Sequence, residues 1–470
     1  MDLRSIRRAL ASIAACAISI VTTAPALAGN NHEAAKSQGA SLNQQLTTTL
    51  AQHGFTGAIE STLEARLGRP VNKKLAKIGQ DLFFDPLLGL NNDNSCSGCH
   101  SPTAGMGDTQ SIAIGIENNG VVGPDRDGPR NQRRTPSIIN TAFYPTLMWN
   151  SRFLAVSGDP FDNSQGLSFP DPEGLSLSAQ PHLLNAQVFI PPTEIVEMTG
   201  YSAPATHSGV REAVRARVNG TPAYRSRFGH IYPSVKPCEP ISYSMIAAAI
   251  AEFEISLTFA NAPIDRFARG YKNAMTTEEK RGALLFFGKA GCVSCHAVAG
   301  KSNEMFSDFQ EHAIGVPQIS PVNTNVTFDG PNGDEDFGRE QLTGDPADRY
   351  KFRSSPLRNA GVQPTFFHNG AYTTLEGAIR HHLDVYAAAA KFDSSGLDAD
   401  LDGPVVAMAE VLAAVDPLLE TPIDLTEQEI AELVAFVGEG LLDPRAKSEK
   451  LMKLIPHSLP SGRELHDFQE

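Results

Sequence analysis

The amino-acid sequence predicts a mainly helical protein with two related domains and long loops. The pattern C-x-x-C-H occurs twice, and a similar apolar phrase precedes it each time, GQDLFF at residues 79–84 and GALLFF at residues 282–287. A repeat of this kind indicates a duplicated structural unit. Helical apolar spacing and capping residues recur along the chain, whereas the alternation typical of strands is sparse, and this favours a mainly α class.

The composition argues against several classes of protein and of partner. The 470 residues are 41% hydrophobic and 20% charged, which argues against a fibrous or wholly disordered chain. The formal charge of −14 repels phosphate backbones, so no nucleic acid is expected as a partner. A basic surface on a partner protein would be attracted instead.

The first 28 residues have the features of a secretory signal peptide. Arg4, Arg7 and Arg8 form a basic start, residues 9–21 are apolar, and the small residues before Ala28 suit a cleavage site. Cleavage after Ala28 predicts a periplasmic protein. An N-terminal membrane anchor is the alternative, but the apolar run is short for a span, and no later segment has 18 consecutive apolar residues.

The cysteines predict two cofactors. Cys96 and Cys99 precede His100, and Cys292 and Cys295 precede His296. Each set is a c-type haem attachment pattern, in which two thiols bond to one haem edge and the histidine becomes the proximal iron ligand. A redox or zinc pair could explain one such motif. Two motifs in an exported chain predict two covalently bound haem c groups, and leave Cys238 as a buried, inert thiol.

The distance between the motifs predicts two cytochrome c-like haem domains. The motifs lie 196 residues apart, too far for one small domain. The expected organisation is a signal peptide (1–28), an N-terminal haem domain (29–235), a C-terminal haem domain (236–445) and a polar tail (446–470). Residues 150–190 and 298–350 have the composition of long loops.

Several helices can be placed from their capping and apolar residues. The two repeated phrases each predict the end of a helix that leads to a motif. Thr276 to Glu279 and Thr426 to Glu429 are capping boxes. The second opens a closing helix with an apolar face, and residues 241–270 predict a long helix at the start of the C-terminal domain.

From about residue 65 to 440 the chain resembles the bacterial di-haem cytochrome c peroxidase family, which includes the MauG-type enzymes. The resemblance depends on the two haem motifs together with residues 134–140, 149–152, 187–198, 367–370 and 374–376. It implies a peroxidase site in the N-terminal domain, an electron-accepting haem in the C-terminal domain, and Trp149 as an electron relay between them. It also leads us to expect Arg152 to face a haem propionate.

The resemblance assigns the catalytic groups of the first site. Gln187, Pro191 and Glu197 keep the family's intervals. Peroxide cleavage requires a proton to move from one oxygen to the other, and a carboxyl group can transfer it. Glu197 is therefore the expected general acid–base, with Gln187 as a hydrogen-bonding neighbour and Glu194 as the competing carboxyl.

The first iron is expected to have an open or water-bound position. Many family members carry a switchable distal histidine about 16 residues after the proximal one, and this chain has Ile116 there. The resemblance therefore implies a haem that needs no reductive activation. Met106 is an alternative ligand.

The second iron is expected to be closed by two ligands. His296 is the proximal one, and the family's distal ligand lies 14 residues after His368, at His382. His381 and Met408 are the alternatives. Two histidines would give a lower reduction potential than histidine and methionine. His368 itself is expected to bond a propionate or a backbone group.

Other family features are altered. An asparagine at the family's calcium site corresponds to Arg134, and the segment 362–365 also differs, so calcium is doubtful. MauG-type oxidation of a protein uses a further tryptophan, but Trp149 is the only one in this chain. The implied function is reduction of hydrogen peroxide with electrons from a small redox protein, a cytochrome c or a cupredoxin. A MauG-like oxidase and a non-enzymatic di-haem electron carrier are the alternatives, and a homodimer is left open.

Overall fold

The computed structural model describes residues 40–470, apart from residues 170–172, 174, 178, 205, 237 and 402–407. Helices predominate in these residues, and each strand is two or three residues long, which confirms the mainly α class. The predicted signal peptide falls outside the described residues. No helix in the described part is both long and apolar enough to cross a membrane.

The helices and strands are connected by long irregular segments and single turns of 3₁₀-helix. The α-helices of the described residues are α1 Leu42–Gln52, α2 Leu63–Leu67, α3 Lys73–Phe84, α4 Cys96–Cys99, α5 Leu183–Gln187, α6 His207–Asn219, α7 Pro222–Ile231, α8 Tyr243–Ser256, α9 Pro263–Ala268, α10 Thr277–Phe287, α11 Glu340–Thr343, α12 Leu375–Leu383, α13 Val385–Ala390, α14 Met408–Ala413, α15 Glu427–Ala435 and α16 Ser448–Leu451. Single π turns span Ile195–Thr199 and Phe436–Gly440. The strands are β1 Val121–Val122, β2 Thr146–Leu147, β3 Phe153–Ala155, β4 Leu167–Ser168, β5 Glu311–His312, β6 Phe352–Arg353 and β7 Asp467–Phe468.

Both repeated phrases end helices, as predicted, and each helix crosses a partner at its glycine. A Cβ on Gly79 of α3 would lie 1.8 Å from the carbonyl oxygen of Ala249 in α8. A Cβ on Gly282 of α10 would lie 1.9 Å from the carbonyl oxygen of Glu432 in α15. The repeat therefore encodes two close helix crossings, one before each haem motif.

Two apolar cores surround these crossings. We call the first core the buried cluster that includes Leu82, Phe83, Ile250 and Phe253 of α3 and α8. The second core is the cluster that includes Phe286, Phe306, Leu433 and Phe436 around α10 and α15. Thr276 and Thr426 accept from the backbone N–H groups of Glu279 and Glu429, so both predicted capping boxes form.

The chain passes between the cores more often than the sequence suggests. The helix expected over 241–270 is shorter, since α8 ends at Ser256, and α8 lies in the first core although it follows residue 236. Conversely, α1 places Leu46 and Leu50 in the second core. Apolar patterning identifies a buried helix face but not the helix that covers it, so the boundary at residue 235 stays a prediction.

The C-terminal segment is part of the first core rather than a free polar tail. Leu451 and Leu459 are buried there. β7 pairs in parallel with β1, which follows the first haem motif, and Ser461 donates to a carboxylate oxygen of Asp85 at 2.8 Å. This segment therefore covers the loop between α3 and β1.

Candidate active site and paired histidines

A cavity of about 320 Å³ lies beside the first C-x-x-C-H motif. The short helix α4 presents Cys96 and Cys99 to it, and His100 follows directly. Burial lowers the pKa of His100 to about 4, so its ring is neutral at pH 7 and available to a metal. Two thiols and a neutral imidazole on one cavity are the donor set that a covalently attached haem requires.

The close approach of Asn94 accounts for the glycine inside this motif, Gly98. Nδ2 of Asn94 donates to the carbonyl oxygen of Glu197 at 2.7 Å, and its Oδ1 accepts from Nη2 of Arg126 at 3.0 Å. A Cβ on Gly98 would lie 2.1 Å from that Oδ1. The attachment loop is thereby joined to the turn that carries Glu197, a link with no signal in the sequence.

The predicted catalytic residues converge on the same cavity. Gln187 at the end of α5, Glu197 in the π turn and Trp149 all line it. Burial raises the pKa of Glu197 to about 7, and the neighbouring carboxylate of Glu194 adds to the rise, while Arg152 opposes it. Near neutral pH the Glu197 carboxyl can therefore both hold and release a proton.

The side chains of Glu194 and Arg152 form an ion pair with each other at the cavity wall. The competing carboxylate is thus paired with a cation, which favours Glu197 over Glu194 as the general acid–base. The expected contact of Arg152 with a propionate stays a prediction.

Trp149 is fixed between two backbone segments. It is buried, and its Nε1 donates to the carbonyl oxygen of Arg134 at 2.7 Å. Its own carbonyl oxygen accepts from the backbone N–H of Arg353 at 2.7 Å. A residue that follows the second haem motif therefore positions this ring.

The alternatives for the first distal ligand lie elsewhere. Met106 is buried in the first core and does not line the cavity. Ile116 is also buried, and its backbone N–H donates to the carbonyl oxygen of Val196 at 3.1 Å. Among the described residues that line the cavity, His100 is the one histidine, although Met148 and Met198 also contribute.

The second motif faces His382. The ring centroids of His296 and His382 lie 6.2 Å apart. Two imidazoles on opposite sides of one metal ion, each about 2 Å from it through nitrogen, have about this centroid separation. Nδ1 of His296 donates to the carbonyl oxygen of Phe306 at 3.0 Å, and Nδ1 of His382 donates to that of Ala378 at 2.8 Å. Both bonds leave Nε2 available to a metal.

Neither alternative to His382 has this arrangement. Both ring nitrogens of His381 are in hydrogen bonds, with the Tyr372 hydroxyl at 3.0 Å and the Ile314 carbonyl oxygen at 2.7 Å. Met408 packs in a separate small cluster beside Val411. His368, expected to bond a propionate or backbone group, has its buried Nε2 without a hydrogen bond and its ring stacked 3.6 Å from Phe352.

Comparison with known proteins finds similarity to one family. The family model described as di-haem cytochrome c peroxidase matches residues 73–273. Relatives extend the match over most of the chain. MauG of Methylorubrum extorquens is 28% identical over 67% of this chain and 70% of its own, and a cytochrome c551 peroxidase of Nitrosomonas europaea is 27% identical over 72% and 81%. The chain is therefore similar to di-haem cytochrome c peroxidases, by the family model over residues 73–273 and by these relatives over about 70% of its length. A likeness to di-haem proteins agrees with the two C-x-x-C-H motifs of this chain.

Solved structures of the family have the same fold. A MauG-like protein associated with microbial copper homeostasis aligns with a TM-score of 0.57 at 25% identity, over 80% of this chain and 91% of its own. The diheme peroxidase BthA of Burkholderia thailandensis aligns with a TM-score of 0.56 at 20% identity, over 85% and 91%. The shared fold covers both haem motifs.

One carboxyl group of this cavity was not identified from the sequence. Glu254 of α8 lines the cavity and is 5% exposed. Burial raises its pKa to about 8. Its position within the largely apolar helix α8, which also carries the buried Glu252, was the available signal. Cys238, in contrast, is exposed rather than buried as predicted, because the segment after α7 runs along the surface.

Proposed function

We propose that this chain is an exported di-haem peroxidase that reduces hydrogen peroxide to water with electrons from a small redox protein. One observation carries the proposal: the partly buried Glu197, whose pKa desolvation raises to about 7, shares a cavity with the first haem motif. Reduction of one H₂O₂ to two waters consumes two electrons and two protons. A carboxyl that exchanges protons near neutral pH suits this reaction.

The roles of the residues follow from their positions. When bound, the first haem would supply an iron that takes peroxide as a ligand and delivers the two electrons that reduce it as the O–O bond breaks. Glu197 takes the proton from one peroxide oxygen and returns it to the leaving oxygen. Gln187 orients the peroxide by hydrogen bonding, and Trp149, which lines the cavity, is the proposed electron relay.

His296 and His382 would hold the second haem. Two filled axial positions minimise rearrangement between redox states, which suits an iron that only transfers electrons. Electrons enter there from a cytochrome c or a cupredoxin and pass Trp149 to the first site. The net charge of −14 favours a donor with a basic surface.

The location and assembly belong to the same proposal. The signal peptide at residues 1–28 would export the chain to the periplasm, where both haems are attached. A homodimer stays a prediction. Calcium also stays doubtful, because Arg134 donates to Gln363 where the family pattern is altered.

Replacing Glu197 tests the catalytic assignment. Glu197→Gln keeps the size of the side chain but removes its proton exchange, so we expect peroxide turnover with a reduced cytochrome to fall by about 10²-fold. Exposed Glu212→Gln in α6 is the matched control and should leave turnover unchanged. Wild-type turnover in the Glu197 variant would contradict the assignment.

The same assay separates the alternatives. The similarity to MauG supports a MauG-like oxidase, which would not depend on an added cytochrome donor. A di-haem electron carrier would show no turnover and two low-spin irons. Donor-dependent turnover by the wild type therefore supports the peroxidase and excludes both.

A further inference from the structure

Four arginines line the cavity of the first motif, and two of them have carboxylate partners. Arg133 contacts Asp336 at 2.6 Å, and Arg152 pairs with Glu194. Arg134 and Arg353 line the same cavity but form no ion pair with a described carboxylate. Two positive charges at this cavity therefore lack an ion-pair partner among the described residues.

Arg134 is buried with unused donors. Its side chain is 5% exposed, Nη2 donates to Oε1 of Gln363, and Nε has no hydrogen-bond partner in the described part of the chain. Burial lowers its pKa to about 10, and the carboxyl of Asp108 only partly offsets this. A neutral amide is its one side-chain partner.

Arg353 is similarly placed. It is 4% exposed, and it donates only to carbonyl oxygens, from Nε to Met148 at 3.1 Å and from Nη1 to Ser354 at 3.2 Å. The rings of Tyr144 and Phe309 flank its guanidinium. Burial lowers its pKa to about 10, yet it remains charged at pH 7.

A buried guanidinium without an anion is costly, so the cavity is built for an anionic ligand. A haem carries two propionates, which matches two unpaired arginines, and guanidinium groups bind carboxylates by paired hydrogen bonds. We infer that Arg134 and Arg353, rather than Arg152, bind the propionates of the first haem. The inference rests on the proposed haem at Cys96 and Cys99.

The two arginines also fix Trp149 relative to that propionate edge. The Trp149 Nε1 donates to the carbonyl oxygen of Arg134, and the backbone N–H of Arg353 donates to the carbonyl oxygen of Trp149. Binding of propionates by their side chains would therefore fix the haem edge relative to the ring. Arg134 and Arg353 are positioning residues as well as cofactor-binding ones.

Reduction potentials of the holoprotein test the inference. Loss of a buried positive charge stabilises the ferric state, so Arg353→Gln and Arg134→Gln should each shift the ferric–ferrous equilibrium of the first haem at least tenfold toward ferric. That shift equals about 59 mV for one electron in spectroelectrochemical titration. Arg215→Gln, at a half-buried arginine of α6 that pairs with Glu212 and does not line the cavity, is the control and should leave the potential unchanged.

Resonance Raman bands of the propionates provide a readout that does not depend on activity. Arg353→Lys keeps the positive charge but loses the paired hydrogen-bond donors. It should therefore shift the propionate bands while changing the reduction potential less than Arg353→Gln does. The lysine variant also replaces Arg353→Gln in the test if the glutamine variant does not fold. A response to Arg152→Gln alone, with none to the other two arginines, would overturn the inference. Absence of haem or of turnover in the wild type would instead overturn the proposed function.

Discussion

Burial sets the protonation of the functional side chains. It lowers the pKa of His100 and of His296 to about 4, which keeps both rings neutral, and raises that of Glu197 to about 7. An imidazole that binds iron must be neutral, and a carboxyl that transfers a proton must exchange it near working pH. Burial therefore keeps the two histidines neutral, as iron binding requires, and lets the Glu197 carboxyl exchange a proton near neutral pH.

The sequence was sufficient to identify residues whose spacing is set by the chemistry of their site. The thiols and histidines of both motifs, and the interval from Gln187 to Glu197, could be identified without coordinates. Adjacent residues on a helix point about 100° apart, so spacing alone could not separate His381 from His382. Arg134, Arg353 and Glu254 were missed as buried groups of the cavity, because burial is a property of the folded chain.

Glu254 predicts a pH dependence of stability. Its folded pKa of about 8 exceeds the unfolded value of about 4.3. Between about pH 4.3 and about pH 8 the folded state holds a proton that the unfolded state has released, so stability falls progressively across this range and the loss is complete above pH 8. We expect the free energy of unfolding of the wild type to fall by on the order of 2–4 kcal/mol between pH 5 and pH 8.5 because of this group.

Glu254→Gln should remove most of that loss, because glutamine has the same size and no charge. Calorimetry of the holoproteins at pH 5 and pH 8.5 measures the difference. Glu212→Gln, at an exposed position, should behave as the wild type. If stability fell equally with pH in the wild type and in Glu254→Gln, the loss could not be due to ionisation of Glu254.

At the scale of elements, each haem motif follows a helix that crosses a partner at a glycine. Gly79 and Gly282 hold the same place in the two repeated phrases, and both approach a carbonyl oxygen of the crossing helix. The repeat and the helix ends were predictable, since apolar spacing and capping boxes are local signals. The crossing partners were not, because α8 and α15 follow their partners by more than a hundred residues.

Gly79→Ala and Gly282→Ala should each force the helices apart and cost on the order of 3 kcal/mol. Thermal unfolding of the holoprotein measures the loss. Gly396→Ala is the matched control, because no heavy atom lies within 4 Å of its added Cβ. Similar stability of all three variants would show that the crossings are looser than described.

Over the whole molecule, the two C-x-x-C-H motifs lie in different surroundings. The first motif faces a cavity with an acid–base group, whereas the second faces His382 at a ring separation of 6.2 Å. Backbone hydrogen bonds join Trp149 to Arg134 and to Arg353, which follows the second motif in the chain. The sequence predicted two unlike sites, but the segments that cross between the two cores could be seen only in the fold.

Electron paramagnetic resonance of the ferric holoprotein, before and after addition of cyanide, tests the central claim that one iron is open and the other closed. The account predicts one high-spin signal that cyanide converts to low spin and one low-spin signal that cyanide leaves unchanged. Two low-spin signals that both resist cyanide would contradict it.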